Sequence, residues 1–182
     1  MDEVPKLKIN KAEAAKSQLE TAIKLWFNND DPVSIHTLAA AAHQIIHDLG
    51  TKQGRATALR GLDTIPPHLK QRVRQTLKKP ENFLKHADHD QNNVLDFPPE
   101  ITEGFILDAV EAYEFITKEK VPLFSTFKLW MCIHKPQIFK KEFLEQFNRA
   151  IAPADVELSK LTRPQFYNIS LPSFTKLYLG IS

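Results

Sequence analysis

The stretch Asp31-Pro32-Val33-Ser34-Ile35-His36-Thr37-Leu38-Ala39-Ala40-Ala41-Ala42-His43-Gln44-Ile45-Ile46-His47-Asp48-Leu49-Gly50 decides the fold class. Asp31 is a helix cap and Pro32 suits the first helical position, where its missing N–H is no loss. Ile35, Ala39, Ala42, Ile46 and Leu49 recur at 3- and 4-residue steps, which gathers them into one stripe of an α-helix. Gly50 reads as the C-terminal stop. The small side chains from Ala39 to Ala42 let a neighbouring backbone approach closely. Upstream, Asn10 caps a helix to about Asn28 with Ala12, Ala15, Leu19, Ala22, Ile23 and Trp26 on one side. The Asn28–Asp31 break is short, so the two helices are expected as an antiparallel hairpin.

Downstream the same grammar repeats. Pro66-Pro67 opens a helix with Leu69, Val73 and Leu77, and Pro80 is expected to interrupt it. Pro98-Pro99-Glu100 opens another, striped by Ile101, Phe105, Ala109, Ala112 and Ile116 and ending near Lys118. Pro122 begins an apolar segment to Ile133. Pro136 begins one with Phe139, Phe143, Phe147 and Ala150. Beyond Pro153 the pattern loosens, and Pro164 and Pro172 cut a tail too apolar to be free. Five glycines against twelve prolines argue against tight hairpins and a sheet-rich fold. The expectation is one all-α domain over residues 1–182. Its antiparallel bundle core runs from about 10 to 118, and its extension from 122 to 182 ends in an irregular apolar arm.

A single cysteine, Cys132, excludes an internal disulfide and a cysteine-cluster zinc site. No apolar run reaches membrane-spanning length and the N-terminus lacks a signal-peptide core, so a cytoplasmic location with no membrane partner is expected. The net charge of +2 hides two runs of opposite sign. Lys52, Arg55, Arg60, Lys70, Arg72, Arg74, Lys78, Lys79 and Lys85 face only Asp63 and Glu81. Nine acids from Asp88 to Glu119 then face Lys118 alone. One reading is a basic face for phosphate; the other is two helices pairing their solvated sides.

The chemistry-bearing candidates are few. Catalytic signatures such as a Gly-rich phosphate loop or a Gly-x-Ser-x-Gly elbow are absent. Asn82 and His86 are one helical turn apart, which puts an amide and an imidazole on one face. An imidazole near neutrality can take a proton from a ribose 2′-hydroxyl or give one to a leaving oxygen. Lys78, Lys79 and Lys85 supply cations for a phosphate backbone. The alternative is a polar surface pair with no chemistry. His43 and His47, four apart on the first-quoted helix, are candidates for a metal site completed by His86, His89 or Asp90; a polar helix edge explains them equally. The loop from Asp88 to Asp96 matches early ligand positions of a calcium loop but carries Pro99 where the bidentate Glu belongs, so it reads as an Asx-rich turn.

Two alanine-bearing N-terminal helices followed by a helix with Asn82-x-x-x-His86 resemble the HEPN superfamily of all-α bundles. That resemblance implies a ribonuclease, commonly a homodimer with its motif in a shared cleft, needing no cofactor. His86 would be the acid/base and Asn82 its polar partner. The family motif has an Arg before the polar residue; here that position is Glu81, and Arg74 would have to reach in from the preceding helix. The wording of Asp31–Ala39 and Asn82–Asp88 also resembles a group of bacterial all-α proteins, a likeness that brings no activity. The expected function is RNA binding or metal-independent RNA cleavage. The alternative is a helical module for self-association or for a protein partner.

Overall fold

The computed structural model describes residue 4 and residues 6–62, 66–88, 91–145 and 157–181. The protein is all-α, with no strand among the described residues. In chain order the helices are α1 (Lys11–Phe27), α2 (Pro32–Lys52), α3 (Ala58–Gly61), α4 (Pro67–Phe83), α5 (Ile101–Thr117), α6 (Pro122–His134) and α7 (Arg163–Leu179). None of them is long and apolar enough to cross a membrane. They form two compact units: residues 1–22 with 31–119, and residues 23–30 with 120–182.

The first unit is built on α2 against α5, with α4 also packing on α2 and α3 on α5. Asn10 and Glu13 start α1 with a reciprocal box: each side chain accepts from the other's backbone N–H, at 2.9 and 2.8 Å. Asp31 caps α2 by accepting from the Ser34 N–H at 2.7 Å, and hydrogen bonding from the Ser34 side chain, then from its backbone, holds the Asp31 carboxyl below the usual range. The core combines Ala15, Leu19 and Ala22 of α1 with Ile35, Ala39, Ala40, Ala42 and Ile46 of α2. Phe105, Ile106, Ala109, Val110 and Tyr113 of α5 complete it. Full burial of a side chain such as Ile46 or Ile106 contributes roughly 1.5–3 kcal/mol.

Gly50 does not stop α2, which continues to Lys52. The glycine lies buried inside the helix, and a Cβ there would meet the Arg55 carbonyl oxygen at 2.2 Å. It is required by a returning backbone, and Gly54, at φ 76°, takes the left-handed turn instead. Pro80 does not interrupt α4 either; it sits buried within the last turn. Only the Thr76 carbonyl loses a helical partner, and the ladder resumes at once with the Leu84 N–H on the Pro80 carbonyl at 3.0 Å.

The second unit is aromatic. Trp26 and Phe27, at the end of α1, meet Phe127 and Trp130 of α6 and Phe166 of α7. The Trp26–Phe127 and Trp130–Phe166 centroids are 5.0 and 5.1 Å apart, edge to face as ring quadrupoles prefer. The Arg163 guanidinium lies 3.8 Å over the Trp26 ring. Cys132 is buried here. The C-terminal arm is not irregular: α7 is a 17-residue helix started by a Thr162–Gln165 capping box. Pro164 falls in its first turn, where no N–H is needed, and Pro172 is accommodated inside. Pro136–Ile138 is a single 3-10 turn and residues 141–145 are helical. Phe147 and Ala150 lie outside the described residues, as do His89 and Asp90.

Candidate nucleic-acid interface

Because α4 runs through Pro80, Arg74, Lys78 and Asn82 share one helix at four-residue spacing. Arg74 therefore does not reach in from a preceding helix; it stands two turns upstream of Asn82 on the same face. All three line a groove of about 650 Å3, together with Lys79, Gln71, Gln75, Phe83, Asn93 and Val94. Among the described residues no acidic side chain lines it. Arg74, Lys78 and Lys79 are exposed and make no ion pair among the described residues.

The other expected members are placed differently. Lys85 donates to Glu81 at 2.8 Å, across one turn. His86 is exposed just beyond the helix, its N–H on the Asn82 carbonyl at 3.0 Å, and it does not line the groove. The groove thus gathers Arg74, Lys78, Lys79 and Asn82, and leaves His86 and Lys85 beside it.

A second cavity, of about 240 Å3, shares Arg74 and Lys78 with the groove. Its other walls are Gln44, His47 and Asp48 of α2, Leu59 and Arg60 of α3, Leu77 of α4 and Phe105 of α5. His47 bonds Thr57 Oγ1 through Nδ1 at 3.0 Å, and burial, aided by Arg60, lowers its pKa.

From Arg60 in the cavity wall runs a polar chain in which only His43 is fully buried. Arg60 Nε donates to His43 Nδ1 at 2.9 Å, and its Nη2 donates to Glu81 at 2.8 Å. A guanidinium only donates, so His43 Nδ1 carries no proton and Nε2–H donates to Asp108, 2.8 Å away. Asp108 also accepts from the Ala58 and Leu59 N–H groups at 2.9 and 2.8 Å, which holds α3 in place. Burial alone would raise the Asp108 pKa; the bonds from His43 and Leu59 outweigh it and lower the value. At Glu81, burial is likewise outweighed by Lys85 and Arg60. Both ring nitrogens of His43 are thus engaged, and no three His, Cys, Asp or Glu side chains among the described residues gather as a metal group.

Sequence reasoning missed Asp108, Arg60 and Glu81 as one network. A signal existed for Asp108: it falls in step with Ile101, Phe105 and Ala112, a charge on an otherwise apolar stripe. A carboxylate there must find donors. Comparison of the chain with family models, with curated proteins and with solved structures returns no match.

Proposed function

We propose that the first unit binds the phosphate backbone of RNA along α4. The observation that carries this reading is the groove lined by Arg74, Lys78, Lys79 and Asn82, with no acid among its described walls. Glu81 pairs with Arg60 and Lys85, while Arg74, Lys78 and Lys79 make no ion pair among the described residues. A strand laid there releases counterions, so affinity falls with salt. Binding of a labelled single-stranded RNA is expected to show a log–log salt slope of about −2, three phosphates at about −0.7 each. The variant combining Arg74→Gln, Lys78→Gln and Lys79→Gln should abolish that slope; an unchanged slope refutes the groove.

Cleavage is the catalytic form of the same reading. His86 would take the 2′-hydroxyl proton as the 2′-oxygen attacks phosphorus, and return a proton to the departing 5′-oxygen. RNA cleaved in EDTA by the wild type and spared by His86→Ala supports it; cleavage by neither leaves binding alone. Such a protein works where RNA is, in the cytoplasm, and needs no cofactor.

A second reading is self-association, or capture of a protein partner, through α7. Leu177, Leu179 and Ile181 at the C-terminal end are 66%, 66% and 56% exposed. A homodimer in sedimentation that dissociates on Leu177→Ser with Leu179→Ser would favour it.

A further inference from the structure

The smaller cavity beside the groove has a different chemistry from the groove itself. At about 240 Å3 it is below the roughly 300 Å3 at which whole-ligand pockets begin, so it suits one fragment of a ligand. Leu59 and Leu77 are half-buried and Phe105 is buried, and these three give apolar faces for a flat ring beside the half-buried polar side chains of Gln44, His47 and Arg60. Its exposed members, Asp48, Arg74 and Lys78, stand at the mouth. Arg74 and Lys78 also line the groove, so a phosphate held between them brings the attached base to the cavity.

Asp48 is the one carboxylate among the described lining residues and has no cationic partner among the described residues. Gln44 donates to its Oδ1 at 2.7 Å across one helical turn, which orients the group and leaves its other lone pairs open. A carboxylate accepts two adjacent donors in a bidentate pair. Among RNA bases only the guanine Watson–Crick edge offers them, at N1–H and the 2-amino group. Adenine and cytosine present an acceptor at the central position, and uracil flanks its one donor with two acceptors. Single-stranded bases are free to splay out and be read this way.

We infer that the Asp48 cavity is a guanine-binding subsite for single-stranded RNA whose phosphates lie on Arg74 and Lys78, an inference that rests on the phosphate-groove reading. The test is fluorescence anisotropy with labelled oligouridylate and the same strand carrying one central guanosine, inosine or adenosine. Guanosine should tighten binding roughly ten- to a hundredfold over adenosine, the worth of one bidentate base contact. Inosine, lacking the 2-amino group, should fall between them. Asp48→Asn should erase the guanosine preference and keep the affinity for oligouridylate. Leu77→Phe, which fills the cavity without changing charge, should do the same. Equal affinity for all four strands overturns the guanine subsite and leaves the phosphate groove standing. A guanosine preference that survives both variants also overturns it. No salt-dependent binding of any strand overturns both.

Discussion

His43 is the residue on which the first unit's polar interior turns. Its Nδ1 accepts from a neighbour that can only donate and its Nε2 donates to Asp108, so it bridges Arg60 and Asp108. His43→Ala leaves a cavity and strips a partner from two charged groups, and the expected loss is about 2–4 kcal/mol in urea denaturation. His47→Ala, at a half-buried ring bonded to Thr57, should lose about 1 kcal/mol. Equal losses would contradict the assignment. His36 makes a different prediction. It is fully buried among Phe97 and Phe105, bonds Thr102 through Nδ1, and burial pushes its pKa down to about 4. The unfolded ring protonates near pH 6.5 and the folded ring resists, so the unfolded state binds the extra proton. Stability should therefore fall as pH drops from about 6.5 to 4, by roughly 3 kcal/mol from this group, with His47 and His134 acting in the same direction. His36→Phe should flatten the pH dependence of the urea midpoint by about one proton; an unaltered slope would show that His36 does not titrate as argued.

At the scale of the element, Gly50 sets two effects against each other. Propensity alone favours alanine in a helix by about 1 kcal/mol. The Arg55 carbonyl at 2.2 Å from the added Cβ is backbone and cannot swing aside. Overpacking wins, and Gly50→Ala should give a net loss of about 1–2 kcal/mol, read from the thermal midpoint. The same case shows where reading the chain reached its end. The stripes of α1, α2 and α5 were legible because burial writes a 3.6-residue period into the sequence. The roles of Gly50 and Pro80 were not, because one depends on how the chain turns back after the helix and the other on how much helix remains beyond it. A glycine after an apolar stripe reads as a stop until Arg55 is known to return against it. A proline reads as a break until Arg60 and Lys85 are found holding Glu81 in the next position. Of the site, Arg74, Lys78, Lys79 and Asn82 were legible as residues, and their common groove followed only from an uninterrupted α4. The Asp48 cavity was not legible, since α2, α3, α4 and α5 each supply part of its wall.

At the scale of the whole molecule, α1 belongs to two compact units. Its first turns bury Ala15, Leu19 and Ala22 in one, and its last turn gives Ile23, Trp26 and Phe27 to the aromatic cluster of the other. No single cut in the chain separates them. A fragment of residues 1–119 keeps the groove residues but loses Phe127, Trp130 and Phe166, leaving Trp26 and Phe27 without their ring neighbours. Such a fragment should elute as aggregate in size-exclusion chromatography, and restoring polar side chains with Trp26→Gln and Phe27→Gln should recover monomer. A monomeric unaltered fragment would show that the aromatic cluster is dispensable. The wider consequence concerns heredity. A gene shuffled by truncation or fusion at one point between the units would always part some residues of α1 from their packing partners, so the groove and the aromatic cluster are bound to be inherited together.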